Sequence, residues 1–228
     1  MSIQFRTILL NQGLIFRVRP LSHAARKVGG TTCINAIQKP VVICGPSGTG
    51  KTTMINQLMS DYPNVFGFSV SHTTRKPRIG ELNGVNYYFV SKEEFSSGAK
   101  RGDFIESAEF SGNMYATSKQ AIKEVQDEGK ICILDLEMNG VKQIKRTKNI
   151  DPLYIFIKPP SIAELESRLK GRKTETEESL VKRLSAAESD LNNLSITNLF
   201  DTVIINDEVG EATNQLAKFI FQDIDKED

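Results

Sequence analysis

The stretch GPSGTGKT, residues 45–52, decides the fold of this chain. Its spacing G-x-x-x-x-G-K-[ST] is that of a phosphate-binding P-loop, in which glycines let successive backbone N–H groups turn toward an anion. The β-branched run at residues 40–44 predicts a buried strand before it, and apolar side chains at helical spacing in residues 51–60 predict a helix after it. Because strand, turn and helix follow in the order that the motif needs, a chance match is the weaker interpretation.

Apolar runs alternate with helical patterns along most of the remaining chain. Further strands are predicted at residues 66–71, 131–135, 153–157 and 203–205, and helices at residues 118–128, 137–146, 161–169, 177–191 and 208–224. This alternation indicates an α/β fold in which helices cover both faces of a parallel sheet, giving three layers. Ligands in such sheets bind at the carboxyl ends of the strands, where the P-loop falls.

Residues 69–117 depart from the alternation. A polar loop with turn residues is followed by predicted strands at residues 87–90, 103–110 and 113–117, and a capping box at residues 91–94 opens one short helix. The core is therefore expected to carry a small strand-rich insert.

The composition excludes several classes of protein. The chain has 228 residues, of which 39% are hydrophobic and 25% charged, and this is typical of a globular domain. Its net charge of +1 gives no bulk attraction to nucleic acid or membrane, and no apolar run approaches the roughly 20 residues of a membrane-spanning helix. Cys33, Cys44 and Cys132 lack metal-ligand spacing and are predicted to be reduced thiols.

The N-terminal segment differs from the rest in charge. Residues 1–60 contain no Asp or Glu, whereas six basic residues precede Pro40 among apolar ones. This composition is typical of mitochondrial transit peptides. An unstructured tail, or residues added by an upstream start codon, would explain it equally. In each case residues 1–38 are expected to lie outside the fold.

Two polar features suit a phosphate and its metal ion. Asp135 ends a run of four apolar residues, as in a Walker-B strand that delivers an acid to Mg²⁺, although it could instead cap the next helix. Arg75 and Arg78 lie three residues apart in a loop punctuated by proline and glycine. Two guanidinium groups there suit a phosphate, the alternative being a solvated basic loop.

Glu106 lies in the middle of a predicted strand. A buried carboxylate is costly unless it is paired, and guanine offers N1–H and N2–H₂ donors on one edge where adenine offers no such pair. A solvent-facing position on an edge strand is the alternative. Hydroxyl groups of Ser71 and Thr117 could contact the same base, and those of Tyr87 and Tyr115 a phosphate, unless these side chains serve only for packing.

A polar segment at residues 171–178 separates two predicted helices, and three arginines surround it: Arg168, Arg172 and Arg183. Arginines on a lid can close over a transferring phosphoryl group and stabilise its charge. Exposed helix-face salt bridges are the alternative.

Together these motifs resemble guanylate kinase. The resemblance covers residues 39–221 and rests on residues 45–52, 68–75, 78–81, 87, 104–106, 110–113 and 171–183. It implies a transferase of purine nucleotide metabolism that moves the γ-phosphoryl group of ATP to GMP, and to dGMP, with Mg²⁺ as cofactor. It further implies a kinase domain at residues 39–228, whose P-loop core carries a GMP-binding insert (69–117) and a helical lid (170–183).

The resemblance also implies roles for single residues. The ATP-binding residues would be Gly45, Pro46, Ser47, Gly48, Thr49, Gly50, Lys51, Thr52 and Asn206. The GMP-binding residues would be Ser71, Arg75, Arg78, Tyr87, Glu106, Tyr115, Thr117, Asp135 and Glu137. The catalytic residues would be Lys51, Arg168, Arg172 and Arg183, and the metal ligands Thr52 and Asp135.

Two positions depart from the family pattern. Ala116 stands where many members have glycine, which matters if the backbone there has a positive φ. Glu137 stands where some members have aspartate and adds a methylene group.

Two rival functions are weighed against the kinase. A catalytically inactive, guanylate-kinase-like protein-binding domain would be expected to lose P-loop or phosphate-binding residues, which are intact here. A kinase for another small acceptor fits the set of Ser71, Arg75, Arg78 and Glu106 less well. The expectation is a monomer that binds ATP and GMP but neither nucleic acid nor membrane. It would be cytoplasmic, or mitochondrial if the N-terminal segment is a transit peptide.

Overall fold

The structure is a computed structural model that describes residues 6–9, 15–18, 27–28, 31–32, 38–110, 112–171, 176–196 and 198–227. Arg172 and Cys33 lie outside the described residues. In the N-terminal segment, β1 (Arg6–Leu9) pairs antiparallel with β2 (Ile15–Val18), and β3 (Lys27–Val28) with β4 (Thr31–Thr32). These two pairs form separate two-stranded sheets.

The elements after residue 38 follow the predicted order with one difference: the strand predicted at residues 66–71 ends at Phe68, and residues 72–73, predicted as loop, form a short strand. They are β5 (Val41–Cys44), α1 (Lys51–Asp61), β6 (Phe66–Phe68), β7 (His72–Thr73), β8 (Tyr88–Phe89), α2 (Lys92–Arg101), β9 (Phe104–Phe110), β10 (Asn113–Ser118), α3 (Lys119–Asp127), β11 (Ile131–Leu136), α4 (Met138–Thr147), β12 (Leu153–Lys158), α5 (Ile162–Gly171), α6 (Glu177–Ile196), β13 (Thr202–Ile205) and α7 (Val209–Glu227).

The core is a five-stranded sheet in the order β13-β12-β5-β11-β6, and every neighbouring pair in it is parallel. The predicted three-layer α/β fold is therefore confirmed. β5 lies in the middle, so the P-loop leaves the sheet at the centre of its carboxyl edge. Asp135 was predicted to end its strand, but β11 continues to Leu136, and Asp135 pairs across to Ile43 of β5.

Side chains alternate between the two faces of this sheet. Val41 and Ile43 pack with α1 and α7, whereas Val42 and Cys44 pack with α3 and α4. All four are buried, and each fully buried aliphatic side chain contributes about 1.5–3 kcal/mol. A third apolar cluster joins α5 and α6. Two of its leucines, Leu165 and Leu169, lie against the P-loop at Gly48.

The insert forms its own four-stranded sheet in the order β8-β7-β10-β9. The predicted capping box is present, because the Ser91 hydroxyl accepts from the Glu94 N–H and the Glu94 carboxylate accepts from the Ser91 N–H. In the antiparallel register of β9 and β10, Thr117 lies opposite Glu106. Both of these polar residues are buried.

Two predictions from composition have structural counterparts. Among the helices that the structure describes, none has the length and apolar character needed to cross a membrane. Cys44 and Cys132 are buried free thiols, and burial raises the pKa of both. Their thiolate forms are therefore disfavoured, as expected for packed cysteines without chemistry of their own.

Candidate active site

The P-loop has a positive φ at three glycines, a conformation that other residues rarely adopt, and at Gly45 the value is +148°. Gly48 and Gly50 have φ values of +93° and +90°. At Gly50 an added Cβ would also collide with the side-chain amide of Asn206, and at Gly45 it would collide with the Ile157 carbonyl. The loop therefore lies close to the sheet, and α1 begins at Lys51 with its N-terminal N–H groups facing the space above the sheet edge, a favourable place for phosphate.

The Lys51 ammonium group is held at the centre of the loop. Its Nζ donates to the carbonyl oxygens of Gly45 and Pro46, at 2.6 and 3.1 Å. The Thr49 hydroxyl donates to the same Pro46 carbonyl at 2.9 Å. These bonds keep a positive charge where the motif predicts the β- and γ-phosphates.

Three carboxyl groups surround Lys51: Asp135 in β11, Glu137 at the N-cap of α4, and Asp190 in α6. Burial raises the pKa of each, and the charge of Lys51 opposes the rise in all three. At Asp190 the charge of Lys142 opposes the rise more than that of Lys51, whereas at Asp135 and Glu137 Lys51 is the opposing charge. Two acids beside one lysine favour an additional cation.

The donor atoms near this cluster fit Mg²⁺. Thr52 and Asp135 line the same cavity and supply oxygen only. In the part of the chain that the structure describes, no group of three or more His, Cys, Asp or Glu side chains could hold a metal ion unaided. Mg²⁺ usually binds through one or two carboxylates together with substrate phosphates, which agrees with this incomplete protein site.

Across the cavity, Arg75 is fixed by Glu81. Its two terminal nitrogens donate to the two carboxylate oxygens at 2.9 and 3.0 Å, and its guanidinium carbon lies 5.3 Å from the ring centroid of Tyr87. The hydrogen bond to Glu81 raises the pKa of Arg75, and the Arg75 guanidinium lowers the pKa of Glu81. The Arg78 N–H also donates to Glu81, at 2.7 Å. A carboxylate to which the sequence had assigned no role thus orders the arginine loop.

Glu106 is buried, with only 7% of its surface exposed. The alternative of a solvent-facing glutamate is therefore wrong. Oε1 accepts a 2.9 Å hydrogen bond from the Thr117 N–H, and burial raises the pKa of the carboxyl group. A carboxylate held in this way is poised to accept hydrogen bonds from a ligand in the cavity, since a paired acceptor lowers the cost of its charge.

One cavity of about 360 Å³ is lined both by the P-loop and by residues of the insert. The predicted residues that line it are Gly45, Ser47, Gly48, Gly50, Lys51, Thr52, Ser71, Arg75, Arg78, Tyr87, Glu106, Tyr115, Asp135 and Glu137. Sequence reasoning did not assign Thr53, Glu81, Ala108 and Leu136 to this site, although all four line it. The departure at Ala116 causes no backbone strain, because Ala116 is not among the positive-φ residues.

Other predicted residues lie beside the cavity and not in its wall. Thr117 is buried behind Glu106. Asn206 is fully buried, and its Nδ2 donates to the Thr49 carbonyl at 2.7 Å, so the side chain braces the P-loop from below. Arg168 donates to the Asn206 carbonyl at 2.9 Å and to Glu164 at 2.8 Å, which ties α5 to the end of β13.

Arg183 connects α6 to the P-loop. Its Nη1 donates to the Ser47 hydroxyl at 2.7 Å, although the two residues are 136 positions apart. Arg183 also lines a second cavity of about 800 Å³, which adjoins the P-loop at Gly45, Pro46 and Ser47 and has Asp190 in its wall. Helix α6 therefore reaches the P-loop directly.

Comparisons with known proteins agree with this geometry. A family model described as guanylate kinase matches residues 37–223. The chain is 50% identical to a guanylate kinase of Sus scrofa over 188 residues, which is 82% of this chain and 94% of the relative. It is 51% identical to a guanylate kinase of Homo sapiens over 188 residues, covering 82% and 95% of the two chains. A crystal structure of guanylate kinase from Anaplasma phagocytophilum has a TM-score of 0.64 at 28% identity, with 82% of this chain and 87% of that chain covered.

Proposed function

The chain belongs to the guanylate kinase family, and from this premise we propose that it transfers the γ-phosphoryl group of ATP to GMP, giving ADP and GDP. One observation carries the proposal. A P-loop with its lysine and an acceptor set of two arginines and a buried glutamate line the same cavity. Each half alone fits many nucleotide-binding proteins, whereas their union fits a kinase whose acceptor is a nucleoside monophosphate.

In the donor half, the P-loop N–H groups and Lys51 bind the β- and γ-phosphates of ATP. Arg183, already bonded to Ser47 at 2.7 Å, is placed to contact the transferring group from the lid. Arg168 and Arg172 are proposed to join it there, and Asn206 to serve the adenine side. The lid comprises residues 170–183, and its closure excludes water from the reaction.

In the acceptor half, Glu106 accepts from N1–H and N2–H₂ of guanine, with Ser71 and Thr117 as further polar neighbours. Arg75, Arg78, Tyr87 and Tyr115 bind the monophosphate. Because Glu81 holds Arg75 in place by two hydrogen bonds, the phosphate meets a preorganised guanidinium group. These residues belong to the GMP-binding insert, residues 69–117 of a domain that extends over 39–228.

The chemistry is an in-line displacement at the γ-phosphorus. An oxygen of the GMP phosphate forms the new P–O bond, the bond to the bridging β,γ-oxygen breaks, and ADP leaves with the electron pair. The second pKa of a phosphate monoester is about 6, so the attacking oxygen is largely ionised at pH 7 and needs no general base. The residues therefore act by positioning and charge neutralisation.

Mg²⁺ is the cofactor that this reaction would use, held by the Thr52 hydroxyl and the Asp135 carboxylate, with Glu137 beside them. When bound, the ion neutralises charge on the phosphates. The two oxygen donors line the same cavity as the P-loop, which supports this assignment.

A coupled assay of ADP release with GMP, dGMP, AMP and UMP as acceptors tests the proposal. Turnover is expected with GMP and dGMP and at most traces with AMP and UMP. Equal turnover with AMP would contradict the role of Glu106. No turnover with any acceptor would favour the protein-binding alternative.

We also propose a monomer acting on small molecules, because one chain supplies both halves of the cavity and the net charge of +1 gives no bulk attraction to nucleic acid or membranes. Light scattering of the purified chain would contradict this if it gave twice the mass. The compartment is proposed to be the cytoplasm, or the mitochondrion if residues 1–38 are removed as a transit peptide. Mass spectrometry of the N-terminus from cells distinguishes the two, since cleavage near residue 38 would support targeting.

A further inference from the structure

The helix α4 packs against β9 at the position of Glu106. At Gly140 the contact is close, because a Cβ there would lie 2.9 Å from Oε2 of Glu106 and 3.4 Å from its carboxyl carbon. Thus Gly140 bounds the carboxylate on the side of Oε2, while the Thr117 N–H holds Oε1.

Gln143 lies three residues further along α4, and therefore on the same side of the helix. Its Nε2 donates to the Ser107 carbonyl at 2.7 Å, and its Oε1 accepts from the Ser107 N–H at 3.1 Å. β9 is an edge strand of the insert sheet. The Gln143 amide thus makes the two backbone hydrogen bonds to Ser107 that a neighbouring strand would otherwise make. These bonds fix the β9 backbone beside Glu106 to α4.

We propose that Gly140 and Gln143 are positioning residues that set the place of the Glu106 carboxylate and thereby the affinity and selectivity for the monophosphate acceptor. This inference rests on the proposed function, because it takes Glu106 as the group that binds the base. Gly140 supplies the space for Oε2, and Gln143 anchors the strand. A carboxylate held before binding loses less entropy when the ligand arrives.

A substitution at Gly140 can displace the Glu106 carboxylate without destabilising the fold. An alanine methyl group would meet the end of a flexible side chain, which can move aside at small cost to the fold, and alanine is favoured over glycine inside a helix. The atom that must move, however, is the oxygen proposed to bind guanine. Gly140→Ala should therefore weaken GMP binding without lowering the thermal midpoint.

The experiment compares Gly140→Ala and Gln143→Met with matched controls. Gly210→Ala also places a methyl group near a glutamate end, 3.1 Å from Oε1 of Glu208, but in α7. Gln126→Met removes a side-chain bond to a backbone carbonyl, that of Gln38 at 3.1 Å, away from the cavity. Both test variants should raise KM for GMP about tenfold, which is about 1.4 kcal/mol. kcat at saturating GMP and KM for ATP should change by less than about twofold, as in the controls.

A double variant with Glu106→Gln gives the decisive comparison. If Gly140 acts through the carboxylate, adding Gly140→Ala to Glu106→Gln should raise KM for GMP much less than it does alone. Fully additive effects, or variants with the KM values of the controls, would overturn the inference. If Gln143→Met does not fold, Gly140→Ala and its double variant with Glu106→Gln still test the inference. A wild-type protein without GMP-dependent turnover would refute the proposed function itself, whereas active wild type with unaffected variants would refute only this inference.

Discussion

Replacing Glu106 by glutamine changes one atom at the point where the base is proposed to bind. The shape is kept, and the remaining carbonyl oxygen can still accept from the Thr117 N–H at the position of Oε1. The second oxygen becomes an NH₂ group, so a donor faces the donors of guanine. The substitution therefore removes one hydrogen bond to a charged group and leaves a repulsive pair.

The expected size follows from that bond. A hydrogen bond to a charged group contributes about 1.5–3 kcal/mol, which corresponds to a roughly 10- to 150-fold rise in KM for GMP. The thermal stability of the Glu106→Gln variant, in contrast to its GMP binding, should not fall. Burial raises the pKa of Glu106 above its ordinary value of 4.5, so ionisation lowers the stability of the native state as the pH rises from 4.5 to the raised pKa, and this loss persists at higher pH. Glutamine lacks this cost, and the thermal midpoint at pH 7.5 should be equal to or higher than that of the wild type.

ADP-release kinetics with varied GMP and AMP, together with thermal melts, measure both effects. Glu109→Gln is the control. Glu109 lies on the same strand but is exposed, so its substitution makes the same change of charge without touching the buried carboxylate of Glu106. Glu106→Gln should lose GMP selectivity, and Glu109→Gln should retain it. A Glu106→Gln variant with wild-type KM for GMP and wild-type rejection of AMP would refute the reasoning.

Three further predictions concern other residues in the walls of the two cavities, namely Lys51, Glu81 and Asp190. Lys51→Ala should lower kcat by at least about 10²-fold, because it removes a charge from the transferring phosphate; saturation kinetics measure this, and near-normal kcat would be inconsistent with the proposed role. Glu81→Gln should raise KM for GMP several-fold with little change in KM for ATP, because Arg75 loses its two charged hydrogen bonds; equal changes for both substrates would argue against it. Asp190→Asn should stabilise the fold increasingly as pH rises, because burial raises the pKa of Asp190 above 3.8 and the cost of its ionised form grows from that pH to the raised pKa. Thermal melts between about pH 4 and pH 7.5 test this, and a constant or falling difference between variant and wild type would contradict it.

The sequence predicted the features that depend on local pattern. The P-loop, the alternation of strands and helices, and the capping box at Ser91 each lie within a short window, and the structure contains all three. The structure also shows that Glu106 is buried in the cavity wall, whereas its binding of a base stays a prediction. A carboxylate inside a strand conflicts with the local pattern, and such conflicts concentrate at functional sites.

The features that sequence missed depend on packing between distant segments. Asp190 comes near the charges of Lys142 and Lys51 only because α6 packs beside the P-loop, and nothing in the local pattern of α6 marks it. Gly140 resembles an ordinary helix glycine until β9 is placed against it. Glu81 was visible as part of a motif, yet its two bonds to Arg75 require the loop conformation. In each case the contact depends on the distance between two groups that are far apart along the chain or separated by a turn, and a local sequence pattern does not give that distance.

The most direct test of the account follows the transferred group itself. ATP labelled at the γ-phosphorus is incubated with GMP, Mg²⁺ and the full chain, and the nucleotides are separated. The label should be recovered in the β-phosphate of GDP, in equal amount to the ADP formed, and AMP in place of GMP should yield no more than traces of labelled product. Label found only in inorganic phosphate, or recovered equally in the product from AMP, would contradict a kinase that joins ATP and GMP in this cavity.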